Sequence, residues 1–67
     1  MATAYYTVLE RDENDGLFYD VFGSYDKQEA RDEMEYLKGD GKKCRLIKTG
    51  GTAQQLIDAI AKANGKG

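Results

Sequence analysis

Two runs of aromatic and β-branched residues on either side of an Asp-Gly turn constrain the fold of this chain most. Residues 4–11 (AYYTVLER) and 17–24 (LFYDVFGS) have the composition of strands, and they flank the sequence DENDG. Within that sequence, Asp15 and Gly16 form a dipeptide that is typical of tight hairpin turns. The first part of the chain is therefore predicted to be a β-hairpin.

A helix is predicted directly after the hairpin. Asp26 and Glu29 have the spacing of a capping box, which marks a helix start. The apolar residues that follow recur on one helical face: Ala30, Met34 and Leu37. We expect helix 1 to cover residues 27–38 and to end at Gly39, because glycine readily adopts the left-handed conformation that ends many helices.

A short strand and a second helix complete the chain. Residues 42–48 (KKCRLIK) are predicted to be the third strand. After the loop KTGGT, Thr52 and Gln55 repeat the capping-box spacing ahead of an apolar stripe: Ala53, Leu56, Ile57, Ile60 and Ala61. Helix 2 is expected over residues 53–63.

The order ββαβα predicts an α+β fold with a three-stranded antiparallel or mixed sheet and two helices. If strand 2, helix 1 and strand 3 form a right-handed crossover, strand 3 pairs antiparallel with strand 1, because the hairpin already occupies one side of strand 1. The expected strand order is 2-1-3. We expect one domain over residues 1–67, with residues 1–3 and 64–67 frayed.

Both faces of the predicted sheet carry apolar side chains. Strict alternation places Phe18 and Phe22 on the face of Val8, and Leu9 and Tyr19 on the other. Helix 1 can cover only one face, so either helix 2 or a partner covers the second. Because helix 2 is short and follows a short loop, we expect it to lie beside helix 1 and to leave a face for a homodimer or an obligate partner.

The charge of the chain is divided by position. Residues 1–37 carry ten carboxylates and three basic residues, a net charge of −7, whereas residues 38–67 carry seven basic residues and two carboxylates, a net charge of +5. The overall charge of −2 hides this asymmetry. Such a distribution indicates a protein that recognises a charged partner.

The acidic part contains the first candidate site. Its carboxylates lie in the hairpin tip and on helix 1: Asp12, Glu13, Asp15, Glu29, Asp32 and Glu33. Tyr5 and Tyr19 are candidate aromatic anchors, since tyrosine is enriched at interfaces. We expect a small non-catalytic protein-interaction module, an inhibitor or adaptor of the kind that phages and mobile elements encode. It would bind the basic surface of a partner protein through the hairpin tip and helix 1.

The basic part supports an alternative function. Lys42, Lys43, Arg45 and Lys48 lie along strand 3, and with the KTGGT loop they would hold the phosphates of a nucleic acid. The acidic overall charge and a sequence pI near 5.0 argue against this, because nucleic-acid-binding domains are usually basic. A nucleic acid is therefore ranked below a protein partner.

The residue types present disfavour catalysis and metal binding. The chain has no histidine, which is the side chain most used for proton transfer near neutral pH. The hairpin tip resembles the start of a calcium loop, but its spacing is one residue short and Gly23 stands where the loop needs glutamate. We expect no enzyme, catalytic residue, metal or cofactor. With a single cysteine, Cys44, and no long apolar run, a cytoplasmic protein without a membrane segment is expected.

Overall fold

The first strand of the chain is the central strand of a three-stranded antiparallel sheet. The computed structural model describes residues 4–65 and contains five elements: β1 (Tyr5–Arg11), β2 (Phe18–Ser24), α1 (Lys27–Gly39), β3 (Cys44–Thr49) and α2 (Ala53–Ala63). Both neighbours of β1 pair with it antiparallel, in the order β2-β1-β3. The predicted α+β fold and strand order are confirmed.

Both helices begin where their capping residues predict. The side chain of Asp26 accepts a hydrogen bond from the backbone N–H of Gln28 at 2.9 Å. The hydroxyl of Thr52 accepts one from the N–H of Gln55 at 3.2 Å. Each bond satisfies a donor that has no partner within the helix, so the local sequence is enough to set these starts.

The end of α1 differs from the prediction. The helix includes Gly39 and is capped at Asp40, and the left-handed residue is Gly41, with a φ of 87°. The N–H of Gly41 donates to the carbonyl of Lys38 at 3.0 Å, and the N–H of Lys42 donates to the carbonyl of Leu37 at 3.1 Å. These are the two bonds of a Schellman motif, which needs its glycine one position beyond the cap.

This helix ending also explains where β3 starts. Lys42, which the sequence assigns to the third strand, uses its N–H to close α1. The strand therefore starts at Cys44 and continues to Thr49, which lies opposite Tyr5 of β1. The predicted strand boundary at Lys42 is two residues too early.

A bulge in β2 changes which side chains share a sheet face. Val8 lies opposite Phe22, but Leu9 lies opposite Asp20, so Val21 is an extra residue in the ladder. Beyond the bulge, Tyr19 lies opposite Glu10 and therefore on the same face as Glu10 and Val8. The prediction that places Tyr19 with Leu9 is wrong, because it assumes strict alternation along the whole strand.

Both faces of the sheet are covered by helices. Val8 and Leu9 are neighbours in β1 and point to opposite faces, yet each is 0% exposed. The Cα trace measures 37 × 27 × 12 Å. Three strands about 4.8 Å apart account for the shortest dimension, and a helix about 10 Å above and below the sheet accounts for the middle one. The expectation that helix 2 lies beside helix 1 is wrong.

Contacts at both ends of α2 place it on the Leu9 face. Leu56 lies close to Thr7 and Tyr5, which share that face. At the other end, the amide of Asn64 accepts a hydrogen bond from the N–H of Phe18 at 2.6 Å and donates one to its carbonyl at 3.1 Å. Asn64 is thus the hydrogen-bonded C-cap of α2, not a frayed residue. Gly65, also expected to fray, donates its N–H to the carbonyl of Lys62 at 3.0 Å, and residues 1–3, 66 and 67 lie outside the described residues.

The orientation of α2 about its own axis departs from the predicted apolar stripe. Leu56 and Ile60 are half-buried, but Ile57 is 59% exposed and Ala53 is also exposed. The hydrogen bonds of Asn64 to the backbone of Phe18 hold the C-terminal end of α2, and in this orientation of the helix Ile57 faces outward. With α2 on the Leu9 face, α1 is the element that covers Val8.

Candidate functional site

The carboxylates of the hairpin tip are used mainly to hold the turn. Asp12 accepts a hydrogen bond from the N–H of Asn14 at 2.7 Å, and Asp15 accepts one from the N–H of Leu17 at 2.8 Å. Such bonds from Asp to a backbone two residues on are typical of turns. Glu13 is exposed at the tip. Within residues 4–65 no group of three acidic or cysteine side chains is arranged to hold a metal ion.

Tyr19 is tied to the same tip. Its hydroxyl donates a hydrogen bond to a carboxylate oxygen of Asp15. This bond stabilises the protonated phenol and raises the pKa of Tyr19, with smaller contributions from desolvation and from the charges of Asp15 and Asp12. The ring is 46% exposed, so it presents a fixed aromatic edge beside the acidic turn.

A groove of about 770 Å³ separates the hairpin tip from the loop between α1 and β3. One wall carries the tip and the other carries Gly41, Lys42 and Lys43. Across it, the ammonium group of Lys42 lies 3.2 Å from a carboxylate oxygen of Glu10, which raises the pKa of Lys42. The carboxylates of the hairpin tip therefore lie across this groove from the basic residues that follow α1.

The helical part of the predicted acidic surface lies at the other end of the sheet. β2 runs away from the hairpin tip, and only two residues lie between the end of β2 and the start of α1. Glu29 is in the first turn of α1, so roughly the length of the helix separates it from the tip. The six predicted carboxylates form two separate patches instead of one surface.

On α1, three of these carboxylates share a side of the helix with an exposed aromatic ring. We call this surface the α1 acidic face: Glu29, Asp32, Glu33 and Tyr36. Tyr36 is 73% exposed, and Asp32 accepts a hydrogen bond from Gln28 at 2.9 Å. Within residues 4–65 none of its three carboxylates forms an ion pair. Tyr36 is not among the candidates predicted from the sequence, although its spacing of four residues from Asp32 places both on one side of a helix.

The other predicted aromatic anchor, Tyr5, is engaged in internal packing. Its ring meets that of Tyr25 edge to face, with centroids 4.9 Å apart and planes at 70°. It also lies over Gly23, where an added Cβ would clash with the tyrosine oxygen. Tyr5 is half-buried, and the ring exposed at this end of the molecule is that of Tyr25.

The predicted basic site does not form one face. Lys42 is paired with Glu10, and Lys43 precedes the strand. Arg45 lies opposite Leu9 and Lys48 opposite Tyr6, so the two exposed cations of β3 are on opposite faces of the sheet. A phosphate backbone lying on either face would meet only one of them.

Cys44 has the environment of a structural thiol. It is half-buried, and burial raises its pKa, with a further increase from the nearby carboxylate of Glu10. Lys38 and Lys42 act in the opposite direction but do not reverse the shift. A thiol that stays protonated is a poor nucleophile.

Neither helix found in residues 4–65 has the length and apolar character needed to cross a membrane.

The surface offers an acidic and aromatic helix face, an acidic hairpin tip and a basic strand edge, each at a different place on the molecule. No family model, curated protein or solved structure matches this chain.

Proposed function

We propose that this chain is a non-catalytic protein-interaction module that binds the basic surface of a partner protein through the α1 acidic face. The observation that carries the proposal is the exposed ring of Tyr36 among carboxylates that have no cation partner within residues 4–65. An aromatic ring supplies buried area on binding, and the surrounding charges supply orientation and speed of association.

The hairpin tip has a secondary role in this proposal. Asp12 and Asp15 already accept backbone hydrogen bonds, and the tip lies at the other end of the sheet from Glu29. A partner that covers α1 would reach the tip only if it extended along the whole helix.

Acting as an inhibitor or adaptor requires no more than one such surface, and a cytoplasmic location fits a chain with a single cysteine.

Two aspartates with the same local geometry allow a matched test. Asp32 of α1 accepts a hydrogen bond from Gln28 at 2.9 Å, and Asp58 of α2 accepts one from Gln54 at 3.0 Å. Both carboxylates are exposed, and each is four residues after its glutamine. Asp32→Lys and Asp58→Lys therefore change the net charge equally, but they do so on opposite sides of the molecule.

The experiment begins with cross-linking in the native cell, identification of the partner by mass spectrometry and purification of that partner. We expect Asp32→Lys and Tyr36→Ala each to weaken its binding by about tenfold or more, and Asp58→Lys to leave it unchanged. Equal effects of the two aspartate variants would show that only net charge matters. A partner that proves to be a nucleic acid would also contradict the proposal.

A further inference from the structure

The outer edge of β3 is regular and open. The N–H of Arg11 donates to the carbonyl of Lys43 at 2.9 Å, which fixes the alternation of hydrogen bonds between β1 and β3. In that alternation the backbone groups of Cys44, Leu46 and Lys48 point away from β1. No described residue forms a backbone bond to them from that side. This edge therefore offers alternate N–H and C=O groups to an added strand.

The opposite edge of the sheet is closed. Val21 forms a bulge that interrupts the regular spacing of β2. The side chain of Asn64 occupies both backbone groups of Phe18, with bonds of 2.6 and 3.1 Å. Strand addition at β2 would have to break those bonds and accommodate the bulge, so β3 is the edge that can accept a strand.

The charges beside β3 select the kind of strand. Arg45 and Lys48 are exposed on the two faces of the sheet, and Lys42 and Lys43 precede the strand. A second copy of β3 would bring like charges opposite each other, which is unfavourable. A second copy of β2 presents its closed edge. The remaining occupant with matching chemistry is an acidic segment of another protein.

We propose that the outer edge of β3 binds an extended acidic segment of a partner protein by β-strand addition. Backbone hydrogen bonds from Leu46 and Lys48 supply affinity, as in other cases of strand addition. Because Arg45 and Lys48 are three residues apart and face opposite sides, the segment carries carboxylates three residues apart, one on each face. The half-buried side chains of Leu46 and Ile47 favour apolar residues between those carboxylates. This surface is separate from the α1 acidic face.

The test uses the full chain, labelled with ¹⁵N, and a synthetic peptide of about ten residues, long enough to span β3. The peptide has glutamates three residues apart among valines and threonines. We expect the amide signals of Leu46 and Lys48 to shift and their hydrogen exchange to slow on titration. A peptide with lysine in place of each glutamate should not bind.

Two protein variants separate charge from backbone pairing. Lys48→Ala removes one cation and should weaken binding by about two- to fivefold. Lys48→Pro also removes an outward N–H that makes no bond to β1, and it should abolish binding. Lys62→Ala on α2 is the charge-matched control and should bind like the unmodified chain.

N-methylated peptides keep the test decisive if Lys48→Pro does not fold. In an added strand, only every second peptide N–H points towards β3. Methylation of those nitrogens should abolish binding, and methylation of the other set should leave it intact. Equal binding of both methylated peptides would overturn the proposal, because the attraction would then be purely electrostatic. So would tighter binding of a DNA oligonucleotide at the same amides, or a dimer of the protein alone that occupies this edge.

Discussion

At the scale of single residues, two buried threonine hydroxyls stand out. The hydroxyl oxygens of Thr7 and Thr49 are buried and have no hydrogen-bond partner among residues 4–65. Thr7 is only 1% exposed and lies next to Val8 and Leu9 in the central strand. A buried hydroxyl without a partner lowers the stability of the folded state, because it loses its bonds to water on folding.

We expect Thr7→Val to leave the free energy of unfolding unchanged or to raise it by about 1–2 kcal/mol, since the substitution keeps the shape and removes the polar atom. Leu9→Ala, in the same strand, should lower it by about 2–5 kcal/mol. Equilibrium unfolding in urea measures both. A clear loss of stability in Thr7→Val would show that this hydroxyl is satisfied in solution.

The thiol of Cys44 leads to a prediction about pH. Burial raises its pKa in the folded chain above that in the unfolded chain. Between the two pKa values the folded thiol is protonated while the unfolded one is ionised. The contribution of this group to stability is therefore complete below the unfolded pKa and is lost as the pH rises through the folded pKa.

Alkylation by iodoacetamide measures this directly, because the thiolate is the reactive form. We expect the pH at which the reaction rate reaches half its maximum to be higher for the folded chain than for the same chain in urea. Steric protection alone would slow the reaction at every pH without moving that midpoint. Coincident midpoints would contradict the assignment of Cys44 as a buried thiol.

At the scale of elements, Asn64 is the residue that attaches α2 to the sheet. No residue of α2 is fully buried, so the helix depends on a few half-buried side chains and on the two bonds from Asn64 to Phe18. We expect Asn64→Ala to lower the free energy of unfolding by about 1–3 kcal/mol. It should also speed hydrogen exchange at the Phe18 amide.

Asn14→Ala is a suitable control, because Asn14 is exposed in the hairpin tip and only its backbone N–H forms a hydrogen bond there. It should leave both the stability and the exchange of the Phe18 amide unchanged. If Asn64→Ala behaves in the same way, the end of α2 is held by apolar packing and not by these hydrogen bonds.

Local patterns were enough to predict the elements and their order. The side chains of Asp26 and Thr52 cap their helices within one turn, so the residues next to them in sequence decide whether the capping hydrogen bonds form. The hairpin is equally local, and with the hairpin in place the crossover leaves few options for β3. These features depend on residues that are close together in the chain.

The misassigned features depend on distant contacts. The bulge at Val21 is visible only in the pairing with β1. The end of α1 is a local exception, because Gly39 and Gly41 are equally plausible from the sequence and the left-handed residue is Gly41. The end of α2 is held by a hydrogen bond between Phe18 and Asn64, which are 46 positions apart. For the same reason the sequence alone does not divide the six candidate carboxylates, all of which lie in the first half of the chain, into two separate patches.

At the scale of the whole molecule, the position of α2 removes the uncovered sheet face on which predicted self-association depends. The sequence predicts a homodimer or an obligate partner, because the predicted position of helix 2 beside helix 1 leaves one sheet face uncovered. With Val8 and Leu9 both 0% exposed, that reason no longer applies. The large apolar side chains that remain exposed are spread over several parts of the molecule: Tyr19 and Val21 on β2, Tyr25 just before α1, Tyr36 on α1 and Ile57 on α2.

The edges of the sheet also oppose self-association. We expect sedimentation to report a monomer of 7.5 kDa over about a hundredfold range of concentration. If repulsion between Arg45 and Lys48 of neighbouring copies contributes to this, replacing both by threonine should promote a concentration-dependent dimer, because the open β3 edge would lose its protecting charges. Lys62→Thr, which removes a cation from α2, should remain monomeric. An unmodified chain that dimerises at low concentration would show that some other surface pairs, and slower hydrogen exchange on β3 or on α1 would identify it.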